Sequence, residues 1–262
     1  MSRIALRVAT VGVLAFLYIP IGTIALYAFN ADRAQAWPIE RFTTDWFGIA
    51  LANGNLIDAI VLSVQVGLGA TLVAIVLGSL AALAIHRFNF FGRDSVSFLF
   101  VLPIALPGIV TGMALNATIN TAAIGFSAFT VAVGHATFCI VVVFNNVIAR
   151  LRRSSRSIEE ASMDLGADTW QTFRYVTFPV VRTALLAGGL LAFALSFDEV
   201  VVTIFTAGTQ ETLPIWIFNQ LSRATQRPIV NVVALFVIVV SIVPVYVAQR
   251  LSSDSTGITA GH

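Results

Sequence analysis

The chain has 262 residues, of which 58% are apolar and only 11% are charged. In a soluble domain roughly a quarter of the residues are charged, so this sequence has too few polar side chains to cover a water-soluble globule. The composition therefore predicts an all-α membrane protein, because helices satisfy their own backbone hydrogen bonds in lipid.

The numbers of cysteine, histidine and lysine residues exclude several kinds of functional site. A single cysteine, Cys139, excludes an internal disulfide and a cysteine-based metal cluster, and the three histidines are too scattered for a zinc motif. We expect no bound metal. All 15 basic residues are arginine, which excludes the lysine of a phosphate-binding loop and that of a Schiff base. The net charge of only +2 does not favour a nucleic-acid partner.

Apolar runs define the predicted membrane spans, since a helix needs about 20 apolar residues to cross a bilayer. We predict six, all within one transmembrane domain covering 1–262: 8–30, 57–85, 96–119, 129–149, 184–206 and 229–249. Eleven of the fifteen arginines fall in segments that are cytoplasmic if the N-terminus is inside. The positive-inside rule therefore predicts an N-in/C-in topology. The first run is longer than the core of a signal peptide, and we expect it to be retained.

Two spans contain residues that affect helix packing. The second has a small residue at every fourth position, which predicts a groove for another helix unless the spacing is chance in an alanine-rich segment. These residues are Ala70, Ala74, Gly78 and Ala82. In the third span, Pro103 and Pro107 predict a kink, because proline lacks a backbone donor.

The longest inside loop, 150–183, is predicted to form a helix, a glycine turn and a second helix. Two pairs have the spacing of helix-capping boxes. They are Ser157 with Glu160 and Asp168 with Gln171. Gly166 can adopt the left-handed conformation that ends a helix, and Pro179 is expected to close the segment.

The second of these helices carries an apolar stripe, formed by Trp170, Phe173 and Val176. An exposed apolar stripe of this size is expected to be buried against a partner protein or against the membrane surface. On physical grounds alone, an amphipathic hairpin lying on the membrane remains the alternative.

The 150–183 loop resembles a segment of a known protein family. The run Glu160-Ala161-Ser162, three intervening residues, Gly166, nine more residues and then 176–179 is similar to the EAA loop of ATP-binding-cassette importer permeases. The spacing matches throughout, with mild departures at Ser162, Val176 and Phe178. In that family the loop is the coupling helix that sits in a cleft of the cytoplasmic ATPase. The resemblance therefore implies that Glu160, Ala161 and Gly166 dock the ATPase. We add as candidate docking residues Ser162 and Pro179 of the same motif and Trp170 and Phe173 of the apolar stripe.

The segments 102–115, 134–153 and 194–208 resemble the spermidine/putrescine-type branch of these permeases. This implies a subunit of the bacterial cytoplasmic (inner) membrane that moves a small, cationic, polyamine-like solute by alternating access. The implied partners are a second permease chain forming a heterodimer, two copies of the ATPase and an extracytoplasmic solute-binding protein. The chain itself is then no enzyme and holds no cofactor, because ATP–Mg binds to the ATPase.

Two adjacent acids, Asp198 and Glu199, interrupt the apolar fifth span. A carboxylate at membrane depth is costly and seldom faces lipid. Adjacent helical positions point about 100° apart, so both line one cavity only if it is wide or the helix breaks there. We expect that at least one of the pair attracts a cationic substrate; the alternatives are a neutral, structurally hydrogen-bonded carboxyl and an ion pair with a partner subunit. Asn116 and Asn120 are weaker candidates for the pathway, since such groups often only join helices.

Two rival functions use the same acids. A proton-coupled secondary transporter would need no large docking loop, and the inverted repeat common in that class is not evident here. An intramembrane hydrolase would normally take its two acids from facing helices, whereas these are neighbours on one helix.

Overall fold

The computed structural model describes residues 3–155 and 157–253, and their regular structure is helical. In chain order the α-helices are α1 (Arg3–Tyr27), α2 (Asp45–Leu51), α3 (Gly54–Arg87), α4 (Arg93–Ala105), α5 (Gly108–Thr121), α6 (Ala128–Arg152), α7 (Ser157–Asp164), α8 (Thr169–Thr172), α9 (Phe178–Phe197), α10 (Val201–Thr206), α11 (Leu213–Leu221) and α12 (Arg227–Ser253). A π-helical turn, Phe173–Thr177, joins α8 to α9, and a 3-10 turn, Ala224–Gln226, precedes α12.

Four helices in the described part of the chain are long and apolar enough to cross a membrane. They are α1, α3, α6 and the continuous helix Thr169–Phe197. The bent pair α4 and α5 gives a fifth candidate span, and the apolar part of α12, Arg227–Ile242, is shorter. The prediction of an all-helical membrane protein is confirmed, with four to five candidate spans where the sequence predicted six.

The helices group into two compact units. The first contains the described residues up to Asp58 together with Trp216–Val243, and the second contains Ala59–Ile215 together with the described residues from Pro244. In the first unit the segment after α1 folds back through an isolated antiparallel bridge between Asn30 and Phe42. The buried Trp46 fixes this turn, because its Nε1 donates to the carbonyl oxygen of Asn30 at 2.8 Å.

In the second unit α6 is the central helix, and its apolar side chains form a core with α3 and α9. The small-residue groove predicted on α3 is present, since Ala70, Ala74 and Ala82 are fully buried in this core. A Cβ atom added at Gly78 would lie 2.8 Å from the carbonyl oxygen of Ile140 on α6. The spacing therefore marks a helix contact and is not a chance pattern.

The predicted kink in the third span is a sharp break. α4 and α5 meet at an angle of 101°. The break falls at Pro107, since Leu106 before it has the extended backbone (φ −79°, ψ 141°) that proline imposes on its predecessor. Pro103 does not end α4 and lies inside it.

The expectation that Pro179 closes the 150–183 loop is wrong, because the helix runs on through it to Phe197. The preceding turn is π-helical, and the N–H of Phe178 donates to the carbonyl oxygen of Phe173, five residues back. This wider turn just before Pro179 accommodates the proline ring, which in a regular helix clashes with the carbonyl four residues back.

Candidate functional site

The 150–183 loop folds as the sequence predicts around its glycine. Gly166 has φ +90°, a left-handed conformation that favours glycine. The N–H of Ala167 donates to the oxygen of Ser162 at 3.1 Å, and the N–H of Gly166 donates to the oxygen of Met163 at 2.9 Å. These two hydrogen bonds form a Schellman motif, which ends α7 and turns the chain toward α8.

The second helix of the loop begins with the predicted capping box. The N–H of Gln171 donates to Oδ1 of Asp168 at 2.8 Å, and the N–H of Asp168 donates to Oε1 of Gln171 at 3.0 Å. α7 itself begins at Ser157, whose N–H donates to the Ser155 hydroxyl at 3.3 Å. The Asp168/Gln171 box is thus confirmed, whereas Ser157 is the first residue of α7 and the box predicted for Ser157 with Glu160 stays a prediction.

The tip of the loop exposes apolar side chains. Leu165 is 90% exposed and Trp170 is 65% exposed, whereas Phe173 and Val176 are half-buried. The Trp170 and Phe173 rings pack at 5.7 Å between centroids. Within the predicted stripe, Trp170 is therefore available to a partner, whereas Phe173 and Val176 already pack within the chain.

Glu159, which the sequence analysis did not select, attaches the loop to the helical bundle. Its Oε2 lies 3.3 Å from Nη2 of Arg87, the last residue of α3. Its Oε1 accepts a hydrogen bond from the buried hydroxyl of Thr177 at 2.7 Å. Both carboxylate oxygens are used, so Glu159 joins three segments that are distant in the chain.

The two acids of the fifth predicted span lie at a break between α9 and α10. α9 ends at Phe197 and α10 begins at Val201. Asp198 is exposed at the C-terminal end of α9, whereas Glu199 is half-buried and its Oε1 accepts the N–H of Val202 at 2.9 Å. A helix break, one of the two conditions under which adjacent acids could line one cavity, is thus present. The two carboxylates have different surroundings, because Glu199 caps α10 and Asp198 faces outward.

His135 holds the two sides of this break. The ring is 1% exposed, its Nδ1 lies 2.8 Å from the Ser196 hydroxyl on α9, and its Nε2 lies 2.8 Å from the Thr203 hydroxyl on α10. The Thr203 hydroxyl donates its proton to the carbonyl oxygen of Glu199 at 2.7 Å. The Thr203 oxygen is therefore the acceptor for Nε2–H, which assigns the proton on that nitrogen from the hydrogen-bond network.

The two asparagines lie at the other end of α10. Asn116 is half-buried, and its Nδ2 donates to the carbonyl oxygen of Phe205 at 2.7 Å. Asn120 is exposed and donates to the side-chain oxygen of Asn116 at 2.9 Å. A helix of six residues is about 9 Å long, so these amides and the acids lie at opposite ends of α10. Asn116 joins α5 to α10.

A family model described as "Binding-protein-dependent transport system inner membrane component" matches residues 74–256, more than two thirds of the chain. The chain belongs to this family. It is therefore a transport component of the bacterial inner membrane, as the EAA-like loop indicated, and membership implies in general terms a partner permease, an ATPase and a binding protein. A proton-coupled secondary transporter is not favoured.

Individual relatives agree with this assignment. The chain is 34% identical over 232 residues to the putrescine transport system permease protein PotI of Escherichia coli (strain K12), covering 85% of this chain and 82% of that protein. It is 33% identical over 255 residues to the spermidine/putrescine transport system permease protein PotC of Haemophilus influenzae, covering 96% and 98%.

A solved structure supports the fold. A bacterial ABC transporter involved in the import of the acidic polysaccharide alginate superposes with a TM-score of 0.73, covering 95% of this chain and 98% of that chain. Because the identity is 15%, this likeness shows the permease fold alone.

Proposed function

We propose that the chain is a six-span, N-in/C-in permease subunit that imports a small, cationic, polyamine-like solute delivered by an extracytoplasmic solute-binding protein. Its spans would form one transmembrane domain over 1–262. The observation that carries this is the identity of 34% and 33% to PotI and PotC over most of each chain. PotI is named for putrescine transport and PotC for spermidine/putrescine transport.

The local electrostatics at the helix break favour a cation. Glu199 caps α10, so its charge lies at the positive end of a helix dipole. Asp198 lies at the C-terminal end of α9, where the backbone carbonyls add negative potential. We therefore assign the substrate ammonium contact to Asp198 and a supporting role to Glu199. Asn116 holds the far end of α10 through Phe205, and Asn120 supports Asn116 in the pathway.

The docking surface for the ATPase is assigned to the coupling loop, our name for residues 150–183. Leu165 and Trp170 present apolar area, and Gly166 shapes the turn between them. Glu160, Ala161, Ser162 and Pro179 of the EAA-like motif and Phe173 of the apolar stripe complete the set.

In this assembly the chain pairs with a second, different permease chain and with two ATPase copies. ATP–Mg binds to the ATPase, and this chain holds no cofactor. Closure of the ATPase pair displaces the coupling loop, and the spans reorient so that the pathway opens alternately to the two sides. A ligand that binds the two conformations with equal affinity does not shift the equilibrium between them. Loaded binding protein and ATP must therefore each bind one conformation more tightly.

The test is uptake of radiolabelled putrescine and spermidine into proteoliposomes that contain the purified complex and its binding protein. We expect uptake that requires ATP and persists when an uncoupler removes the proton gradient. Uptake that stops with the uncoupler while ATP is constant would overturn the proposal in favour of a proton-coupled transporter. Transport of neither amine, with ATP turnover stimulated by another solute, would contradict the polyamine assignment alone.

A further inference from the structure

The first helix of the coupling loop has little apolar packing. α7 has eight residues, and none of them is buried. Ile158 is 52% exposed and Met163 is 43% exposed. Hydrophobic burial therefore does not determine where α7 lies, and polar contacts must do so.

Two of these polar contacts involve Glu159. The Arg87 and Glu159 side chains are 27% and 14% exposed, and Thr177 is 4% exposed. A fully exposed ion pair contributes little, but here the carboxylate is largely withdrawn from water and accepts from two donors at once. The arrangement fixes α7 relative to the end of α3 and to the π-helical turn. A further contact, 3.2 Å between the Ser162 and Thr172 hydroxyls, joins α7 to α8.

The other end of this attachment is a long transmembrane helix. α3 has 34 residues and is about 51 Å long, more than the ~30 Å hydrocarbon core of a bilayer. Its small-residue face packs closely on α6 at Gly78. A displacement applied at Arg87 therefore acts on a rigid helix that is in contact with the core of the second unit.

We propose that Arg87 and Glu159 form a mechanical link that passes movement of the coupling loop directly to α3. The two are positioning residues, and neither touches the substrate or the nucleotide. Thr177 orients the Glu159 carboxylate toward Arg87. This inference rests on the proposed docking of an ATPase at the coupling loop. It assigns to Glu159, next to the motif glutamate Glu160, a separate role within this chain.

The experiment is a charge-swap cycle in the reconstituted complex. Glu159→Arg and Arg87→Glu each place like charges in contact, and the double variant restores an opposite pair. For every variant three quantities are measured: co-purification of the ATPase, ATP hydrolysis stimulated by loaded binding protein, and solute uptake per ATP hydrolysed.

We expect each single variant to retain the ATPase but to lower uptake per ATP by roughly 2- to 30-fold, the range over which residues between two coupled sites change their coupling. The double variant should recover a large part of this loss. Glu159→Gln keeps the size and the acceptor for Thr177, so it should fold while lowering the ratio. Asp94→Asn, an exposed acid in the first turn of α4 and outside the coupling loop, should leave the ratio unchanged.

Unchanged uptake per ATP in Glu159→Gln and in both single swaps, with the ATPase still bound, would overturn the link. Losses that simply add in the double variant would also overturn it, because they show that the two side chains act independently. Failure of the unaltered complex to bind the ATPase would instead count against the proposed docking, so the two ideas fail in different ways.

Discussion

The Nε2 atom of His135 lies 2.8 Å from the hydroxyl oxygen of Thr203, which connects the buried middle of α6 to the first turn of α10. The opposite ring nitrogen makes the corresponding contact with Ser196 on α9. A single imidazole therefore keeps the broken helix in register on both sides of Asp198. The break therefore has a defined geometry.

Replacing His135 by Phe should destabilise the protein, because the Ser196 and Thr203 hydroxyls lose their partner. Interhelical hydrogen bonds in membranes average ~0.6 kcal/mol each, so the loss of two should cost about 1 kcal/mol. Thermal unfolding of the purified protein measures this. Val133→Phe, at a 43% exposed position on the same helix, is the matched control. Equal melting temperatures for the two variants would contradict the bridging role.

Alanine substitutions at Gly78 and Gly12 should have opposite effects on stability. At Gly78 the new Cβ meets the Ile140 backbone at 2.8 Å, whereas at Gly12 nothing lies within 4 Å. Overpacking typically costs about 1–3 kcal/mol, while Gly→Ala in an open helix position gains roughly 0.5–1 kcal/mol. We expect Gly78→Ala to melt lower than the unaltered protein and Gly12→Ala to melt no lower. The reverse order would show that α3 and α6 are not in close contact.

Gly166→Ala should weaken binding of the ATPase. An L-residue in the left-handed region costs about 1–2 kcal/mol, so the loop with φ +90° at this position would be populated roughly 5- to 30-fold less. Gly166→Asn should lose less affinity, because asparagine adopts this conformation more readily. The dissociation constant of the detergent-purified permease for the ATPase checks the ranking. Equal affinities for both variants would mean that the Gly166 turn does not shape the docking surface.

Asp198→Asn should raise the KM for putrescine by about tenfold or more, since a hydrogen bond to a charged group contributes ~1.5–3 kcal/mol. Glu199→Gln is the matched comparison, because its amide oxygen can still accept the N–H of Val202. We therefore expect a smaller change in KM for Glu199→Gln. Kinetics of labelled putrescine uptake distinguish the two. An unchanged KM in Asp198→Asn would show that this carboxylate does not contact the substrate.

The sequence predicted the features that depend on near neighbours in the chain. The turn at Gly166 and the cap formed by Asp168 and Gln171 follow from local backbone chemistry, and both are present. The groove on α3 followed from a four-residue repeat of small side chains. Proline positions were interpreted less well, because only Pro107 breaks its helix and the π-helical turn absorbs Pro179.

Features that depend on the packing of distant segments could not be predicted. Glu159 and Glu160 are adjacent, and which of them faces Arg87 depends on how α7 is rotated against α3. The position of Arg87 at the inner end of the predicted second span was the available signal, but it does not identify the residue that pairs with Arg87. Likewise, the different surroundings of Asp198 and Glu199 follow from the point at which α9 ends.

The central claim, that the coupling loop is the contact for a motor subunit, is tested most directly by site-specific cross-linking. Leu165→Cys in a Cys139→Ala background places one thiol at the 90% exposed tip of the loop, and Leu51→Cys, also exposed, is the control position. With a thiol-reactive cross-linker in membranes containing the whole complex, we predict a product with the ATPase from position 165 and none from position 51. Products with lipid alone from position 165, in a complex that hydrolyses ATP and transports, would contradict the account.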